Sequence, residues 1–114
     1  MAHSLTRRRR GQVVLFHLTP RLNLPSIWRH GLQPCFARGL LPAVWLCCGS
    51  RRPWAFDHVS DQNFTSDIVC IRICLPRSWL VRRRRGVWTC SYPIPVSCLV
   101  AVSLLVAAAF PKAA

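Results

Sequence analysis

The sequence predicts a small α+β domain of mostly antiparallel strands, with two short helices in its N-terminal half. Three observations predict it. A chain of 114 residues has room for one modest core. Residues 67–75 alternate, with Val69, Ile71, Ile73 and Leu75 on one side and Cys70, Arg72 and Cys74 on the other. Prolines and glycines cut the rest into short segments, and two brief helix signals fall between residues 23 and 59.

Residues 1–11 read as a basic, disordered arm, and residues 12–114 as the single domain. Residues 13–18 are β-branched, aromatic and apolar enough for a strand placed beside a central one. Asn23 is a candidate helix cap, Pro25 suits a first helical turn and Gly31 suits the position after the last. Leu24, Ile27 and Trp28 then share one apolar face. Residues 33–42 form a loop around Pro34, Gly39 and Pro42. Residues 43–48 are a second strand, residues 50–53 lead into a helix at 54–59, and residues 61–66 are a polar turn. Pro76 ends the alternating strand. Residues 79–81 and 87–90 flank Arg82–Gly86 as a hairpin. After Pro93 and Pro95 comes a last strand near 96–102, followed by an alanine-rich helix.

The charge balance narrows the partners. Sixteen basic residues against three acidic ones give a formal net charge of +13, and the chain contains no glutamate. Such an excess suits a polyanion. Its densest blocks are Arg7, Arg8, Arg9 and Arg10 in the arm and Arg82, Arg83, Arg84 and Arg85 in the hairpin, which are the candidate nucleic-acid contacts. Genomic composition also raises arginine, alanine and proline together. Seven cysteines form no Cys-x-x-Cys pair, so the sequence supports neither a zinc site nor a disulfide framework, and a reducing cytoplasm is expected. The apolar stretch 96–110 is 15 residues long, short of the roughly 20 that span a bilayer. A core strand is therefore preferred there over a tail anchor, and a membrane is not an expected partner.

The stretch FHLTPRLNLPSIWRHGLQP, followed by the strand AVWLC, resembles the opening of the ADP-ribosyltransferase-like fold. That group includes RNA 2′-phosphotransferases and DNA-modifying ADP-ribosyltransferases. The resemblance covers about residues 13–60. It implies NAD as the cofactor, with His17 holding the ribose or nicotinamide end, Thr19 beside it and Trp45 stacking on the nicotinamide. Many members of this group use a late-strand glutamate to stabilise the cationic ribose, and none exists here. Arg51 and Arg52, placed before the second helix, are candidates to hold a phosphate.

Two functions follow as expectations. The first is a small ADP-ribosyltransferase-like domain that binds NAD or a phosphorylated ribose and transfers poorly or not at all. The alternative is a non-catalytic basic module for RNA or DNA.

Overall fold

The computed structural model describes residues 11–34 and 42–105, with Leu105 described through its backbone alone. Arg7, Arg8, Arg9 and Arg10, Cys35 and the segment expected to be an alanine-rich helix lie outside the described residues.

The β-branched and aromatic residues at the start of the chain form β1 (Gln12–Pro20). A 3-10 turn over Arg21–Asn23 leads into α1 (Leu24–His30), with Pro25 in its first turn. β2 (Val44–Cys47) and a 3-10 turn over Gly49–Arg51 precede α2 (Arg52–Asn63). The chain continues as β3 (Ile68–Pro76), β4 (Leu80–Arg84), β5 (Val87–Cys90) and β6 (Leu99–Leu105). Together they make one α+β domain with a six-stranded antiparallel sheet in the order β4-β5-β2-β1-β3-β6.

β1 holds one of the two centre positions, beside β2. On its other side it pairs with β3 over nine residues, from Gln12↔Pro76 to Pro20↔Ile68. Both faces of this ladder are covered. Leu15, Val69, Ile71, Ile73 and Leu75 pack with Val44, Leu46 and Cys90 against Ile27 of α1, Leu32 and Ile94. On the opposite face Leu18, Cys47, Ile68 and Cys70 pack against Phe56 of α2. The helices therefore lie on opposite sides of the sheet. The alternation seen in residues 67–75 is real, but both of its faces are apolar destinations.

Several boundaries differ from expectation for identifiable reasons. Asn23 stands at the N-cap position of α1 but makes no side-chain capping bond; its amide donates to Thr19 Oγ1 at 2.9 Å instead. Trp28 leaves the apolar face of α1 and is 48% exposed, so Ile27 alone anchors that helix deeply. α2 runs through Asn63 because the polar residues 61–63 continue its backbone bonds on an exposed face. Arg82, Arg83 and Arg84 belong to a strand, because β4 is an edge strand whose side chains are solvated. The last strand starts at Leu99, after a 3-10 turn over Val96–Cys98. The two sheet edges differ in character: β4 carries three arginines, whereas β6 (LVAVSLL) carries no charged residue and leaves Leu104 exposed.

Gly31 closes α1 for a steric reason. Its φ is +71°, and a Cβ there would sit 2.2 Å from the carbonyl oxygen of Ile94. That oxygen is the acceptor for Leu32 N–H at 2.9 Å, so it cannot move away without opening the Leu32–Ile94 bridge. Gly31→Ala is expected to lower the unfolding free energy by about 3 kcal/mol, as strained backbone and a backbone clash combine. Urea denaturation checks this, and a loss below about 0.5 kcal/mol would contradict the packing described.

Candidate functional site

β1 carries His17 and Thr19 at the same parity as Leu15, so both point to the α1 side. Thr19 is 6% exposed, and its hydroxyl is occupied by Asn23. His17 is half-buried, and its Nδ1 lies 2.8 Å from the carbonyl oxygen of Trp45. A carbonyl only accepts, so Nδ1 carries the proton in that bond and Nε2 keeps its lone pair. Burial pushes the His17 pKa below the ordinary histidine value, and the bond to Trp45 opposes that shift in part. Nε2 has no hydrogen-bond partner among the described residues.

Trp45 joins His17 through its backbone only. Its neighbours Val44 and Leu46 belong to the α1-side core, so alternation sends the Trp45 ring to the α2 side, opposite Thr89 of β5. His17, Thr19 and the Trp45 ring therefore do not share a face.

Arg51 and Arg52 also separate. Arg52 turns to the α2 side, with its guanidinium carbon 4.7 Å from the centre of the Phe16 ring and its Nε donating to the Gly49 carbonyl at 3.1 Å. Arg51 instead meets the β4–β5 hairpin. Its Nε donates to the carbonyl of Arg85 at 3.2 Å, and the Cys48 N–H donates to the carbonyl of Gly86 at 3.0 Å. Gly86 permits this approach: its φ is +76°, and a Cβ would lie 2.8 Å from Arg51 Cγ and 2.9 Å from Cys48 Sγ. The hairpin tip is thus fastened to the start of α2.

The result is an open hollow of about 690 Å³ lined by Cys48, Ser50, Arg51, Arg82, Arg85, Gly86 and Trp88. Three guanidinium groups border it and no carboxylate does. Asp57 and Asp61 are exposed on α2, and Asp67 pairs with Arg21 at 2.8 Å. Trp88 lies opposite Arg82 on β4 and opposite Leu46 on β2. The Phe16↔Cys47 register sets Leu46 beside His17. One transverse row on the α1 side therefore reads Ile71, His17, Leu46, Trp88, Arg82. Strand spacing puts His17 and Trp88 roughly 10 Å apart along it.

The rest of the arginine block has other positions. Arg83 Nε donates to the buried Thr89 Oγ1 at 2.9 Å, and the Arg84 guanidinium carbon stands 5.5 Å from the Trp54 ring centre. Trp54 in turn stacks on His58, with ring centres 5.5 Å apart.

Cys48, Ser50, Gly86 and Trp88 were not candidates from sequence. The available signal was Trp88, a tryptophan that follows the arginine block inside the returning strand of the hairpin. The neighbouring thiols behave differently. The Ser50 hydroxyl, 3.2 Å from Cys48 Sγ, holds the Cys48 thiol below its ordinary range, whereas burial first, then Cys70 and Cys48, push Cys47 up to about 12. Among the described residues no group of three or more His, Cys, Asp or Glu could hold a metal ion, and no helix is long and apolar enough to cross a membrane.

The lowered His17 pKa makes stability depend on pH. The unfolded chain binds the proton near pH 6.5 and the folded chain only below it, so the His17 contribution is complete above about 6.5 and is lost as the pH falls through the folded value. Urea denaturation between about pH 7.5 and 5 is expected to show that loss, with a flatter profile in His17→Asn. Identical profiles for the two proteins would contradict an imidazole held neutral by the fold.

Comparison of the chain with protein-family models and with curated proteins finds no match in either.

Proposed function

We propose that this domain is a non-catalytic binding module for nucleic acid, held through phosphate at the hollow between the β4–β5 hairpin and the start of α2. One observation carries the reading. Arg51, Arg82 and Arg85, from two distant stretches of chain, converge around Trp88 with no acidic side chain in the lining. Like charges gathered this way repel one another, and the repulsion falls when phosphate oxygens sit among them. Ser50 adds a hydroxyl donor and Trp88 an apolar face.

Binding is expected to be weak, without sequence preference and steeply salt-dependent, because neutralised phosphates release counterions. Anisotropy titrations of a labelled oligonucleotide from about 50 to 200 mM salt test this. The Arg82→Glu, Arg85→Glu double variant is expected to lose at least about tenfold in affinity and to show a shallower salt slope. Wild-type-like binding by that variant, or no binding by the wild type at low salt, would sink the proposal.

A second reading, a nucleotide site like that of ADP-ribosyltransferases, is favoured by His17. With Nδ1 bound to Trp45, Nε2 keeps the lone pair that could accept a hydroxyl hydrogen, and the ring lies on the same side of the sheet as the arginine hollow. Transfer from NAD needs charge stabilisation at the ribose, commonly worth several kcal/mol. Asp57 and Asp61 stand on α2, across the sheet from His17, and Asp67 is engaged by Arg21. Incubation with labelled NAD and protein, RNA, DNA or 2′-phosphorylated RNA is therefore expected to give little or no transfer. Robust transfer abolished by His17→Ala would reverse the order of the two readings.

A further inference from the structure

We propose that the β4–β5 hairpin binds single-stranded nucleic acid on both of its faces, with one base at Trp88, a second at Trp54, and the phosphates crossing the tip beside Arg85. This rests on the phosphate-binding reading above and adds the strandedness of the ligand and its path.

The arrangement begins with a bulge. In a regular strand, residues two apart share a face, so Arg82 and Arg84 would point the same way. The register of β4 on β5 shifts between them: Arg82 pairs with Trp88, whereas Arg84 pairs with Val87. Trp88 and Val87 are adjacent and so face opposite sides. The bulge thus sends Arg82 to the α1 side and Arg84 to the α2 side. On each face an arginine then neighbours a tryptophan: Arg82 is the cross-strand partner of Trp88, and the Arg84 guanidinium carbon stands over Trp54 at 5.5 Å. Both indoles are partly exposed.

β4 is the edge strand, so a polymer passing from one face to the other crosses no further strand among the described residues. The turn residues Arg85 and Gly86 lie on that path, and Arg85 also borders the hollow. On the α2 side, a base that replaces Arg84 over Trp54 keeps the indole stacked and releases the guanidinium to a phosphate. His58 extends that stack, lying nearly parallel to Trp54 at an interplanar angle of 13°. Aromatic faces accept any base, which suits binding without sequence preference. A duplex keeps its bases inside: its phosphates can reach the arginines, but its bases cannot reach the indoles.

The experiment measures affinities for oligo-U RNA and oligo-dT DNA of increasing length, for a blunt duplex and for inorganic polyphosphate, at low salt. Single strands shorter than roughly four nucleotides cannot span both platforms and are expected to bind weakly, with a jump in affinity above that length. Trp54→Leu, on α2 and outside the lining of the hollow, is expected to weaken a roughly eight-nucleotide strand about tenfold while leaving polyphosphate binding unchanged, and Trp88→Leu is expected to weaken the same strand about tenfold. If Trp88→Leu fails to fold, Trp54→Leu and the quenching of tryptophan fluorescence by the bound strand decide the matter. RNA or DNA meeting these expectations supports the proposal and identifies the source of the strand. A duplex that binds as tightly as a single strand, or Trp54→Leu with unchanged strand affinity, overturns it. Loss of polyphosphate binding in the Arg82→Glu, Arg85→Glu variant separately reports whether the phosphate site itself holds.

Discussion

The nine-residue ladder between β1 and β3 constrains everything else in this domain. β3 places Ile68 and Cys70 toward α2, and Val69, Ile71, Ile73 and Leu75 toward α1. A slip of one residue would exchange the two sets and break both cores at once. β2 and β6 are added to the outer sides of this pair, so the register fixed at its centre is passed outward strand by strand. The side on which His17, Trp45 and Trp88 emerge is therefore decided by the register at Leu15↔Ile73 and its neighbours.

A second constraint brings the basic residues together. Gly86 lets the hairpin tip come within contact of Cys48 and Arg51, and two hydrogen bonds from that segment to the tip carbonyls keep it there. The arginines of the hollow are thus positioned by backbone contacts and not by charge pairing. The one ion pair among the described residues, Arg21–Asp67, is more than half exposed and lies elsewhere. Exposed pairs of that kind contribute about 1 kcal/mol at most. The positive potential of the hollow consequently has no counterpart within its own lining.

The parts of the fold visible in the sequence are those with a local physical cause. Residues 67–75 alternate because Val69, Ile71, Ile73 and Leu75 share one fully buried destination, and Gly31 marks a turn where a side chain would clash. The length of α2 was not visible, because Phe56 is its only deeply buried residue and an exposed helix leaves no apolar period to detect. Trp28 was misplaced because helical spacing says which residues share a face but not how wide the covering core is. The site divides in the same way. His17 and Thr19 sit on one strand, and their shared side follows from parity alone. The relation of Trp45 to them depends on the β1–β2 register, which no local pattern encodes. Arg51 and Arg85 are 34 residues apart and meet only because the hairpin folds back onto the start of α2.

The two sheet edges give the domain a direction. A strand approaching β4 meets a row of guanidinium groups, and an unpaired edge guarded by charge resists further pairing. A strand approaching β6 meets a seven-residue edge without a single charge. Among the described residues the sheet therefore ends in an uncharged strand on one side and a charged one on the other. What guards β4 is the same arginine block that borders the hollow, so neutralising those side chains would also remove the barrier to growth at that edge. Arg82 belongs both to the lining of the hollow and to that guarded edge.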